Sequence, residues 1–188
     1  MRHLFRINAE GGPLVCADAR LARQWRGIEN GGRDYERVCA MLTQSAEPPG
    51  VVFEISGGTA AAWEMGGGGT ADIFAMEPGD TIQIIRAWTD IDSTDIFTEL
   101  AGADGGNQTI IGTIKVPTRY LAILWATESG ELIPERIEGD IQRVRGTSTE
   151  KSAYVMRVKN EMYRCSHDEV EIGDSRAIRL TLSSIQES

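Results

Sequence analysis

Apolar residues recur along this chain with two different periods, and the change from one to the other falls near residue 50. Leu4–Asn8 and Pro13–Ala17 read as short strands on either side of a Glu10-Gly11-Gly12 turn. Asp18 then caps a helix that the pattern carries through Trp25, with Leu21 and Trp25 one turn apart on its buried side and Gly27 as its stop. A second helix, capped by Asp34, puts Tyr35, Val38, Cys39 and Leu42 on one apolar stripe with Arg33 and Arg37 at its edge. Pro48-Pro49-Gly50 ends it.

From residue 51 the period is two. Val51, Phe53 and Ile55 share one face of VVFEIS, Gly57-Gly58 supplies a two-residue hairpin loop, and TAAAWEM returns. Gly66–Gly69 turns the chain into ADIFAM, and Pro78-Gly79 turns it again into TIQIIRAW, which makes a four-stranded meander. Asp92 or Ser93 caps a helical turn or two containing Ile96, Phe97 and Leu100. TIIGTIKV and YLAILWA follow, the latter apolar on both faces and therefore central. In the last third ELIPERI, DIQRVRG, SAYVMRV, MYRCS and AIRLTLSSI each suit a short strand, and residues 147–151 suit an exposed loop. The expected fold is α+β, mostly an antiparallel β-sheet meander with two or three short helices, in a single domain over residues 1–188.

Charge changes this picture once it is divided along the chain. The net charge is -9, yet residues 1–50 carry 7 bases and 6 acids, and residues 136–188 carry 9 of each. Residues 51–135 hold 13 acids against Arg86, Lys115 and Arg119 alone. Such a field repels nucleic acid and anionic membrane and attracts basic partners. Three cysteines without a Cys-x-x-Cys spacing suggest neither a disulfide framework nor a zinc knuckle and fit a reducing compartment. Without an apolar leader or a stretch long enough to span a membrane, the expectation is a soluble cytoplasmic protein.

The chemical motifs are weak. Cys165-Ser166-His167-Asp168 places a thiol near a base, but neighbouring residues make a poor triad and His3 is the one other histidine, so these positions read as a strand end and polar loop. The alternating acids of Asp90–Asp95 fail the calcium-loop pattern, because Asp95 stands where glycine is needed and Ala101 where glutamate is needed. Gly66–Gly69 lacks the lysine and the following helix of a phosphate loop. No catalytic residue, cofactor or metal site is expected.

The order EGGPL, a strand, a helix ending in Trp-x-Gly, then DYERVC resembles the immunity protein 21 family of bacterial polymorphic-toxin systems. The residues that carry the likeness are Glu10, Gly11, Gly12, Pro13, Leu14, Trp25, Gly27, Asp34, Tyr35, Arg37 and Cys39, joined by GGTAAAWEM, TIQIIRAWTD and IKVPTRYLAILWATESGE. The likeness covers residues 4–135; Gly66–Gly69 and residues 136–151 depart from it. It implies a mostly β protein, not an enzyme, that binds a cognate toxin domain and neutralises it by occlusion. Gly11, Gly12, Pro13, Trp25, Gly27, Asp34 and Tyr35 are then scaffold. The charge distribution places the partner-binding surface at Trp88, Asp90, Asp92, Asp95 and Glu99, facing a basic partner. The alternatives are a small-ligand-binding β domain, recognised by a closed apolar cavity, and an enzyme with a carboxylate site drawn from Asp90, Asp92 and Asp95.

Overall fold

The alternating segments pair into two six-stranded antiparallel sheets. In the computed structural model, which describes residues 1–8, 12–45, 49–64, 70–76, 80–88, 94–145 and 152–185, the first sheet contains β1 (Arg2–Asn8), β5 (Thr70–Met76), β6 (Thr81–Trp88), β12 (Ser175–Ser184), β11 (Met162–Ile172) and β7 (Thr109–Lys115), in that spatial order. The second has the order β3 (Gly50–Ile55), β4 (Gly58–Trp63), β2 (Leu14–Asp18), β8 (Tyr120–Trp125), β10 (Ser152–Arg157) and β9 (Ile141–Arg145). The helices are α1 (Ala19–Ala22), α2 (Arg33–Thr43) and α3 (Thr94–Gly102). The fold is thus α+β and mostly antiparallel sheet.

The sheets stack face to face. Their inner faces form the main core, with Ile7, Ile73, Ile84, Tyr163 and Leu180 from the first sheet meeting Leu14, Trp63, Ile123 and Trp125 from the second. Phe5 and Tyr154 stack across the gap with centroids 3.9 Å apart. Neither outer face is left wet in its middle. α1 and α2 cover the second sheet through Ala22, Val38 and Leu42 on Val15, Phe53 and Val155, and α3 covers the first through Phe97 and Leu100 on Phe74, Ile85 and Val170. The molecule therefore has four layers, helix, sheet, sheet, helix.

Several local expectations change. The four strands of residues 50–88 are two hairpins, β3–β4 in one sheet and β5–β6 in the other. Alternation assigns residues to faces, but it cannot say which sheet a hairpin joins. The first hairpin turns at Ser56-Gly57, at φ 46° and 82°, one residue earlier than expected; pairing Ile55 with Gly58 keeps Phe53 and Ile55 on the helix-covered face. The first helix is one turn, α1, although Asp18 does cap it by accepting from Arg20 N at 2.9 Å. The N-cap of α2 is Gly32, whose φ is 71°, so Asp34 lies inside the first turn instead of capping it. ELIPERI contributes a 3-10 turn at Gly130–Leu132. β11 runs far beyond MYRCS. Gly11 and the run Gly66–Gly69 lie outside the described residues, as do Pro48 and the Pro78-Gly79 turn.

The remaining scaffold residues converge on the segment after β8. Trp25, 2 % exposed, donates its indole N–H to Ala126 O at 2.9 Å, and Ala126 N donates to Pro13 O. Ile28 N donates to Thr127 O, and Gly130 N donates to Trp25 O. Gly27 holds φ 55°, and a Cβ there would lie 2.4 Å from Glu128 O. Asp34 accepts from Arg26 N, and Tyr35 N donates to Gly27 O, which ties α2 to the same knot. Trp25→Ala removes a buried indole from this knot and is expected to cost about 3–5 kcal/mol, read as a lowered urea midpoint.

Candidate partner-binding surface

α3 and the loop after it form a ridge along the outside of the first sheet. Asp95, Glu99 and Asp104 are exposed on it, residues 94–110 contain no base, and Ile110 lies beside it with 62 % of its surface accessible. Of the sequence-derived binding residues, Asp95 and Glu99 therefore project outward from one helix. Trp88 ends β6, its backbone paired with Arg176. Asp90 and Asp92 lie outside the described residues.

What holds this ridge in place is buried charge. Asp168 and Arg179 face each other across the β11–β12 pair on the outer face of the first sheet, and their side chains are 2 % and 9 % exposed. The fork is bidentate, Nε to Oδ1 at 3.0 Å and Nη2 to Oδ2 at 2.5 Å. Arg179 Nη1 also donates to Ala101 O and Ala103 O at 3.3 and 2.9 Å, satisfying carbonyls that the end of α3 leaves without helical partners. The loop is pressed close against the pair. A Cβ on Gly105 would stand 1.7 Å from Asp168 Oδ2, and Gly106 N donates to Glu169 O. Further along the ridge, Arg6 stacks over the Phe97 ring at 4.8 Å while its Nε donates to buried Asp72 at 3.0 Å. His3 Nε2 contacts the other Asp72 oxygen at 2.6 Å.

These pairings correct the reading of residues 165–168 as a strand end and polar loop. All four are buried in the middle of β11. Asp168 looks like a loop residue in sequence because its partner, Arg179, comes from the next strand. Cys165 and His167 point inward, Asp168 outward, and His3 sits four strands away on the outer face, so these four residues do not converge as nucleophile, base and orienting acid. Burial raises the Cys165 thiol to about 12. His167 is 2 % exposed, and among the described residues neither ring nitrogen has a hydrogen-bond partner. Burial lowers its pKa, partly opposed by Asp168 and Glu169.

At the same end of the sandwich the structure buries a cation that the sequence reading missed. Arg86 points into the inter-sheet core, fully buried, 4.5 Å from the Trp125 ring, with Nη1 donating to Gly12 O at 2.8 Å. Burial lowers it to about 10, with Glu64 opposing, so it remains a cation at neutral pH. The signal was the period-2 row Ile82-Ile84-Arg86, which puts the guanidinium on the core face. Among the described residues no group of His, Cys, Asp and Glu could hold a metal ion, and no helix is long and apolar enough to cross a membrane.

The arrangement belongs to the class of helix-flanked antiparallel β-sandwiches with an acidic outer ridge. Comparison with protein-family models, curated proteins and solved structures returns no match.

Two measurements check this electrostatic account. Asp168→Leu strands the Arg179 guanidinium and is expected to cost about 3–5 kcal/mol, whereas Asp168→Leu with Arg179→Leu costs less than either single change; urea titrations of the three variants close the cycle. For His167, native and unfolded states are both neutral well above about pH 6.5. As pH falls below that value the unfolded chain binds the proton first, and stability declines until the lower native pKa is passed. His167→Leu removes this loss, so its advantage in Tm over the wild type widens from pH 7.5 to 5.

Proposed function

We propose that this chain is an immunity protein that binds a cognate toxin domain in the cytoplasm of the bacterium that makes it and neutralises the toxin by covering its active surface. The observation that carries the reading is the ridge of Asp95, Glu99 and Asp104, whose own segment, residues 94–110, contains no base, and which lies beside exposed Ile110 and is locked to the first sheet by the Arg179 fork. The resemblance of residues 4–135 to immunity protein 21 supports the same reading. A rigid acidic surface speeds encounter with a basic partner and penalises wrong partners, while an apolar side chain at its rim adds contact area. Neutralisation by occlusion asks for complementarity only.

Co-expression with the effector domain encoded immediately upstream tests the function itself. Growth is expected to be arrested by that domain alone and restored by this chain; arrest of equal depth in both cases rejects the reading. The surface is tested separately by kinetics. Asp95→Lys with Glu99→Lys is expected to slow stopped-flow association with the toxin domain more than it changes dissociation. The slowing should shrink as salt rises from about 0.05 to 0.5 M, because screening shortens the range of steering. Equal association rates for wild type and variant at low salt would move the interface elsewhere.

A further inference from the structure

The opposite end of the sandwich has the reverse character. Two adjoining recesses of about 500 and about 520 Å3 open where the β7–β8 and β10–β11 connections gather beside Asp80 and the starts of β1 and β6. Five exposed cations line them, Arg2, Lys115, Arg119, Arg157 and Lys159, and Arg119 and Lys159 belong to both. In a chain with three lysines and a net charge of -9, that concentration is unexpected.

Among the described residues three carboxylates line the recesses, each with a partner. Asp80 Oδ2 accepts from Lys159 N, Asn160 N and Asn160 Nδ2 at 3.0–3.1 Å, and from the Tyr163 hydroxyl. Asp140 lies 3.9 Å from Arg157. Glu161 takes Arg119 Nε and Nη2 at 3.2 and 3.1 Å, with both side chains more than half exposed, which is the kind of surface pair that contributes little and exchanges readily.

Arg119 lines both recesses. It is held at φ 57°, a left-handed conformation that favours glycine. Its position is fixed from several sides. Arg119 N donates to Val116 O, Val158 N donates to Arg119 O, and the buried Asp18 carboxylate accepts from both Thr118 N and Thr118 Oγ1. Backbone strain that surrounding contacts over-determine concentrates at functional positions. Glycine would fill this turn at lower cost, but it would remove the guanidinium shared by the two recesses.

We propose that this end of the molecule is a binding site for a compact multivalent oxyanion, a small molecule carrying phosphoryl or several carboxyl groups, with Arg119 and Lys159 as its central contacts and Lys115, Arg2 and Arg157 around them. The volumes suit a small molecule, and a guanidinium with an adjacent ammonium suits paired charged oxygens. The net negative charge of the chain disfavours an extended polyanion. Glu161 acts as an internal competitor for Arg119 until the ligand arrives. The site stands apart from the acidic ridge and does not depend on toxin binding.

Calorimetric titration of the full chain with pyrophosphate and, separately, citrate at 0.15 M NaCl tests the site and tells phosphoryl from carboxylate ligands. Saturable one-to-one binding of at least one of them is expected, weakened tenfold or more by Arg119→Gly and by Lys159→Gln and tightened by Glu161→Gln. Arg119→Gly should keep or raise the wild-type Tm, because it relieves the turn; a purely structural Arg119 would lower it. Absence of saturable binding of both anions at millimolar concentration overturns the proposal, as does undiminished binding by Arg119→Gly.

Discussion

Both sheets are covered on both sides, and this constraint decides most of what the molecule can do with its polar residues. A strand in the middle of such a stack has no wet face, so any charge it carries must find a partner within the fold. Asp168 meets Arg179, Asp72 meets His3 and Arg6, and Asp18 is divided between the first turn of α1 and Thr118. Each arrangement joins elements that apolar packing alone would leave free to slide. Buried ion pairs of this kind add little net stability over apolar replacements, but losing one partner is costly, so they fix geometry more than they strengthen it. The short helix α3 depends on that service, because its C-terminal carbonyls end on a guanidinium anchored in the sheet.

The same constraint governs how much of the structure was legible in the sequence. The stripe of α2 and the central place of β8 were readable, since Val38 and Leu42 repeat at helical spacing and YLAILW has no polar face. β8 indeed lies between β2 and β10. The split of residues 50–88 between two sheets was not readable, because the alternation within a strand is the same whichever sheet it joins. β11 was cut short for a related reason. Its buried His167-Asp168 looks like a loop when the residue that satisfies Asp168 stands eleven positions away. Two of the five expected binding residues, Asp95 and Glu99, are exposed on one helix, whereas the cation-lined recesses draw on residues 2, 115, 119, 157 and 159 from three strand ends and two connections. No local spacing announces a site of that kind.

The two ends of the sandwich thus carry opposite surface chemistry on one rigid frame. At one end are the acidic ridge and the buried Arg86, with its guanidinium held by Gly12 O and Trp125. The other end collects exposed cations around a strained turn. Pro13 and the knot at Trp25 belong to the frame; they join β2, α1 and α2 to the segment following β8.

The position of β12 has a consequence for the order in which this molecule comes into being on the ribosome. β12 is the last of the described strands to be synthesised, yet it lies in the interior of the first sheet, between β6 and β11. Until it emerges, β1, β5 and β6 can form only a three-stranded fragment whose inner edge, along Ile82–Ile85, is bare. Such an edge is a template for pairing with another nascent chain. The second sheet has no such delay at its centre, since β2, β4 and β8 are all complete by residue 125. It can act as the platform on which the first sheet closes, which makes the final strand a latch for half of the fold and leaves the unfinished chain dependent on prompt completion or on a chaperone's shelter.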